Sequence, residues 1–169
     1  MFVLFAIGLA GCKLLSRYQR NNPFKCGWYF QSLPKAKVYY DSVLAPFQLQ
    51  TGDIVANIGS GSGWEECIWL TFKDSINFYA EDIDTVCLNQ GDIQKAISYY
   101  SKLRGAAINN KIETVIWDEE QTHLPNHFFD KILVINTYHE FSKPMAMLKD
   151  IYQKLKPKGQ LLIKESPAT

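Results

Sequence analysis

The residues best suited to chemistry lie in two short stretches. Val55-Ala56-Asn57-Ile58-Gly59-Ser60-Gly61-Ser62-Gly63 runs from an apolar segment into three glycines. Phe78-Tyr79-Ala80-Glu81-Asp82-Ile83-Asp84 runs from an apolar segment into carboxylates, roughly twenty residues further on. A glycine turn lets a ligand approach the backbone closely, and a carboxylate accepts hydrogen bonds from ribose hydroxyls. A glycine turn after one strand and an acid at the tip of the next hold an adenosine-containing ligand on a doubly wound sheet.

The residues after the glycines indicate the ligand's charge. Trp64 stands where a pyrophosphate-binding turn needs a third small residue, and Glu65-Glu66 open the next helix. Carboxylates suit the positive end of a helix dipole but repel a pyrophosphate docked there. A sulfonium ligand without phosphate fits better, which favours S-adenosylmethionine over NAD.

These residues need a scaffold. Asp53–Ile58, Ile76–Glu81, Ile112–Trp117, Asp130–Asn136 and Gln160–Glu165 read as strands. Trp64–Phe72, Asp84–Leu103 (stopped by Gly105) and Lys143–Leu155 (closed by Pro157) read as crossover helices, and Ala36–Phe47 as a helical lead-in. Strand–helix alternation predicts an α/β, doubly wound, mostly parallel sheet in order 3-2-1-4-5. The ligand crevice then lies at the carboxyl ends of strands one and four, where the order reverses.

Six pieces in this order resemble the class I S-adenosylmethionine-dependent methyltransferases: Leu49–Asp53, Asn57–Gly63, Glu81–Asp84, Trp117–Glu120 with Leu124-Pro125, Phe129–Asn136 and Leu155–Gly159. The resemblance implies a Rossmann-like methyltransferase fold and methyl transfer to a small-molecule acceptor. It implies cofactor contacts at Asn57, Gly59, Ser60, Gly61, Gly63, Asp82, Ile83, Asp118, Glu119 and Asn136. Asp82 is the expected ribose ligand, an acid at Asp118 or Glu119 meets the adenine amino group, and Asn136 lies below the methyl. Gly63 serves either the cofactor or helix packing. Tyr138 and His139, at the cleft mouth, are the catalytic candidates; a histidine can take a proton from a substrate nucleophile near neutral pH, or simply pack under the substrate loop.

Three departures from the family stand out. Asn57 replaces its usual Asp, removing a charge that would attract the cofactor's ammonium group. Lys158 replaces a common Gly. Only ten residues follow Gly159, so the C-terminal strand pair is expected to be missing and the edge of strand 160–165 open to self-association. A non-catalytic S-adenosylmethionine-binding or interaction module is the alternative function.

The 169 residues are expected to divide into an apolar N-terminal segment (1–20), a helical lead-in (21–48) and the cofactor domain (49–169). A net charge of +1 gives no global basic field, so nucleic acid is not indicated. Cys12, Cys26, Cys67 and Cys87 suggest neither a disulfide framework nor a metal site, and Cys67 and Cys87 read as small apolar residues on helices. Leu9-Ala10-Gly11-Cys12 resembles a bacterial lipoprotein cleavage box, although no basic residue precedes the apolar run. The expected location is therefore membrane-associated or exported. A short anchor holding the domain in the cytoplasm and a packed helix are the alternatives.

Overall fold

The computed structural model describes residues 26–166. The expectations placed on the apolar N-terminal segment and Cys12 lie outside the described residues. Among the described residues, no helix is long and apolar enough to cross a membrane.

The chain forms α1 (Leu33–Tyr39), β1 (Ile54–Ile58), α2 (Trp64–Phe72), β2 (Asn77–Asp82), α3 (Gln90–Arg104), β3 (Ile112–Ile116), β4 (Phe129–Ile135), α4 (Pro144–Lys154) and β5 (Leu155–Lys164). The five strands make one sheet in the order β3-β2-β1-β4-β5. Every neighbouring pair is parallel. This is the order the sequence predicts, and it is a Rossmann-like methyltransferase fold.

Both faces of the sheet are covered, which is why its central strands are apolar rather than alternating. Val55, Phe78, Ala80 and Leu133 pack with Trp69 of α2 and Tyr100 of α3. Ala56, Ile58, Ile132 and Val134 pack with Met147 and Ile151 of α4 on the other side. The order reverses between β2–β1 and β1–β4, so the tips of β1 and β4 bound the crevice.

Local chemistry shifts several boundaries. The lead-in is not one helix over 36–47: α1 gives way to a π turn at Tyr40–Leu44 and a 3-10 turn at Ala45–Phe47. Pro46 lacks the N–H that a continuing α-helix would need, and the hydrogen-bond register changes around it. The helix expected from Asp84 begins only at Gln90. Asn89 is its N-cap, with the Asn89 side chain accepting from Asp92 N–H at 2.9 Å. Asp84 instead holds the turn before it, accepting from Val86 N–H and Cys87 N–H.

The same turn holds a disulfide that the sequence does not predict. Cys87 is not a helical core residue but is bonded to Cys26, 61 positions away. Spacing alone cannot reveal the pair, because it depends on the lead-in crossing the end of β2. Cys67 is free and buried, as expected.

Strand five starts earlier than the sequence suggests. Phe129 pairs with Leu155 and Lys131 with Gln160, so the Lys156–Gly159 turn is accommodated as an irregularity within β5. A Cβ on Gly159 would lie 2.9 Å from the Phe129 carbonyl oxygen, which explains glycine there. Its neighbour Lys158 is exposed and left-handed at φ 73°. A side chain in that region costs about 1 kcal/mol relative to glycine. Lys158→Gly is therefore expected to raise stability by about 1 kcal/mol, read as a higher urea midpoint with an unchanged slope. A lower midpoint would refute this account of the turn.

Candidate functional site

The site is built on the turn between β1 and α2. Gly59, Gly61 and Gly63 all adopt positive φ, at 72°, 58° and 72°. They serve different purposes. A Cβ on Gly59 would sit 2.1 Å from Thr137 Cγ2, so glycine lets the loop after β4 close on the turn. A Cβ on Gly63 would meet Ile93 at 3.1 Å, which gives this glycine the packing role, where α2 lies on α3. At Gly61 nothing lies within 4 Å, and the turn presents an open face there.

The tips of β1 and β2 are joined. Gly59 N–H and Ser60 N–H both donate to the Glu81 carbonyl at 2.9 Å. Gly61 N–H donates to Asp82 Oδ2 at 2.7 Å, and Asp84 N–H donates to Asp82 Oδ1 at 2.9 Å. Asp82 thus stands beside the open glycine with its carboxylate fixed by two backbone donors. Each of its oxygens can accept again. Next to it Ile83 is 52% exposed, and Ile116 at the end of β3 is 42% exposed. β3 pairs with β2 there, so the two neighbouring strand tips each carry an exposed apolar side chain.

Behind the turn lies a polar cluster that the sequence does not disclose. Glu66 is fully buried and Asn57 is 1% exposed. Asn57 Nδ2 donates to Glu66 Oε1 at 2.7 Å. Asn57 Oδ1, Glu66 Oε2, Ser60 Oγ and Ser62 Oγ are buried without any hydrogen-bond partner. Burial, then the adjacent Glu65, pushes the Glu66 carboxyl up to about 8. Glu65 accepts from the Tyr39 hydroxyl of α1 at 2.5 Å, and Tyr39 lies against Trp64 with ring centroids 5.1 Å apart. Burial likewise raises the Glu65 carboxyl, against the pull of the Tyr39 hydrogen bond and of Lys164. The sequence shows the glutamates as a first-turn pair; Glu65 is buried against Tyr39 of the lead-in and Glu66 against Asn57 of β1.

The other predicted residues sit differently. Asp118 Oδ1 accepts from Glu120 N–H and Gln121 N–H, and Oδ2 lies 3.0 Å from His123 Nε2. Those backbone donors hold its carboxyl below the ordinary range. Glu119 accepts from the Ser142 hydroxyl at 3.1 Å, and Lys143 pairs with Glu120. Glu119 and Glu120 tie the loop after β3 to the loop after β4, while Asp118 holds its own loop together. Asn136 is left-handed at φ 53°, and its side chain accepts from Ser166 N–H at 2.7 Å. It fastens the end of β5.

Tyr138 and His139 lie in a 3-10 turn after β4. Tyr138 N–H donates to Glu165 Oε1 at 2.8 Å, and His139 Nδ1 lies 2.7 Å from Glu165 Oε2. The imidazole, 61% exposed, has the Glu165 carboxylate at Nδ1 and the Glu140 carboxylate 3.8 Å from Nε2. In the sequence Glu165 reads only as the end of a strand.

An open cavity of about 480 Å³, lined by Ile54, Asn77, Tyr79 and Lys111 among others, lies at the amino ends of the strands. It contains none of the predicted site residues and is separate from the crevice.

Similarity to known proteins settles the family. Residues 56–163 match the family described as the methyltransferase domain. The chain belongs to this family. No curated protein matches the sequence. Among solved structures, it is similar to a SAM-dependent methyltransferase from Aquifex aeolicus, at 24% identity over 73% of this chain and 67% of that one, with TM-score 0.51. It is also similar to YjhP from E. coli, at 18% identity over 84% and 49%, TM-score 0.51. The [4+2]-cyclase SpnF is similar too, at 18% identity over 76% and 43%, TM-score 0.51. These likenesses concern the fold, which by itself does not fix a chemistry. The chain spans about half the length of several solved structures it matches.

Proposed function

We propose that this methyltransferase-family domain binds S-adenosylmethionine at the β1–α2 turn and passes its methyl group to a small-molecule acceptor. The observation that carries the reading is the joint between the open Gly61 and the Asp82 carboxylate at the switch point of the sheet. The orphaned acceptors of Asn57, Ser60, Ser62 and Glu66 fit a ligand rich in donors and bearing positive charge.

In this reading Asp82 accepts from the ribose hydroxyls, and Ile83 and Ile116 flank the adenine. The Gly61 face admits the thioether chain. When bound, the cofactor supplies a methyl group on a sulfonium, whose displacement leaves a neutral thioether. The protein's own contribution is positioning and exclusion of water. Glu165 holds His139 at Nδ1, which leaves Nε2 to accept the proton that an acceptor hydroxyl or amine gives up.

The test is calorimetric titration of the purified protein with S-adenosylhomocysteine. Saturable one-to-one binding is expected. Absence of binding at millimolar ligand would overturn the reading. The acceptor class is tested by label transfer from methyl-labelled S-adenosylmethionine to a panel of small molecules; label appearing only in protein or nucleic acid would refute it.

A further inference from the structure

The cluster behind the glycine turn has an unmet requirement. Two buried oxygens, Glu66 Oε2 and Asn57 Oδ1, belong to side chains already hydrogen-bonded to each other, and neither atom has a hydrogen-bond partner. A buried polar atom left without a partner costs about 1–3 kcal/mol. A third, Ser60 Oγ, lies in the adjoining turn. A primary ammonium carries three hydrogen-bond donors and one positive charge. It can donate to Glu66 Oε2 and pair with the ionised carboxylate.

We propose that Glu66, held by Asn57, is the seat for the primary ammonium of the ligand's amino-acid tail, so that a helix-borne carboxylate supplies the charge that Asn57 lacks. This rests on the cofactor reading above. Glu66 then sets specificity for adenosyl compounds that bear an α-amino group over those that end at the thioether.

The groups around Glu66 are consistent with this assignment. Glu65 adjoins it on α2, the charge of Asp82 acts on it from β2, and Asn57 of β1 donates to it. Tyr39 of α1 donates to Glu65, the charge of Lys164 of β5 acts on Glu65, and Cys67, next along α2, is buried. Among the described residues no cation acts on Glu66 itself, and its neighbours on two elements are carboxylates. Burial, then Glu65, raises the Glu66 carboxyl, so the ligand-free site favours its protonated form. Seating an ammonium favours its ionised form and releases the proton to the buffer.

The experiment compares two probes, S-adenosylhomocysteine and 5′-methylthioadenosine, which lacks the amino-acid tail. Glu66→Gln should weaken S-adenosylhomocysteine binding at least tenfold and change 5′-methylthioadenosine binding less than twofold. In the wild type at pH 7, titrations in buffers of different ionisation enthalpy should show proton release with S-adenosylhomocysteine and little with 5′-methylthioadenosine. This second measurement needs no variant and so does not depend on Glu66→Gln folding. If Glu66→Gln binds both probes as the wild type does, or if the two probes release equal numbers of protons, the Glu66 assignment is overturned while the cofactor reading stands. If the wild type binds neither probe, the cofactor reading fails and the assignment falls with it.

Discussion

Replacing Asp82 by alanine is expected to weaken S-adenosylhomocysteine binding by about a hundredfold or more. Two hydrogen bonds from ribose hydroxyls to one carboxylate, each worth about 1.5–3 kcal/mol, give roughly 3 kcal/mol or more. The substitution also frees Gly61 N–H and Asp84 N–H, both of which donate to this carboxylate, so the turn loses its anchor. Asp82→Asn separates the two effects, because the amide oxygen can keep one backbone donor while the charge is lost. Calorimetry measures affinity, and thermal melting followed by circular dichroism shows whether the variants fold. An Asp82→Ala protein that melts like the wild type and binds as tightly would rule out this carboxylate as the ribose ligand.

A comparably large effect should appear in stability against pH. Glu81 has both carboxyl oxygens buried without a partner, on the face of the sheet that α4 covers. Burial first, then Asp150 and Asp82, pushes its carboxyl up to about 9, with Lys154 pulling the other way. A carboxyl that titrates higher in the folded than in the unfolded chain binds its proton more tightly when folded. By linkage, its contribution is complete below the ordinary carboxylate range and is lost as pH rises toward about 9.

Each pH unit in that window removes on the order of 1 kcal/mol. Glu66 adds to the same slope up to about 8. Urea denaturation of the wild type should therefore show falling stability from about pH 5 to about pH 8. Glu81→Gln, which removes the charge but keeps the shape, should flatten that slope and be more stable at about pH 8 by roughly 3 kcal/mol. Parallel pH profiles for the two proteins would show that Glu81 is solvated or paired in solution.

Legibility in the sequence follows the range of the interactions involved. The sequence places the Trp64–Phe72 helix at its true bounds, because a glycine turn stops the strand before it and the apolar run stops at Lys73. Strand order follows from alternation and from the handedness of crossovers. The start of α3 is less legible because Asp84 and Asn89 are both good caps, and the choice between them depends on the Cys26–Cys87 bridge and the turn around it. Asp118, Glu119 and Asn136 have the right types at the right strand ends. The partners their side chains meet here, Gln121 N–H, Ser142 and Ser166 N–H, are not legible in that pattern. Which of several donors a surface acid meets is set by neighbouring loops, not by spacing.

Linear pattern was enough for the sheet, its strand order, and the setting of three glycines beside an aspartate, because these follow from local periodicity, turn chemistry and chain handedness. Which groups are dry emerged from long-range packing. That packing makes Glu66 and Glu81 buried carboxylates with unpartnered oxygens, gives Gly63 to the contact between helices, and joins Cys26 to Cys87. Burial and pairing depend on which distant segment lies on top, and the order of residues along the chain carries no record of that.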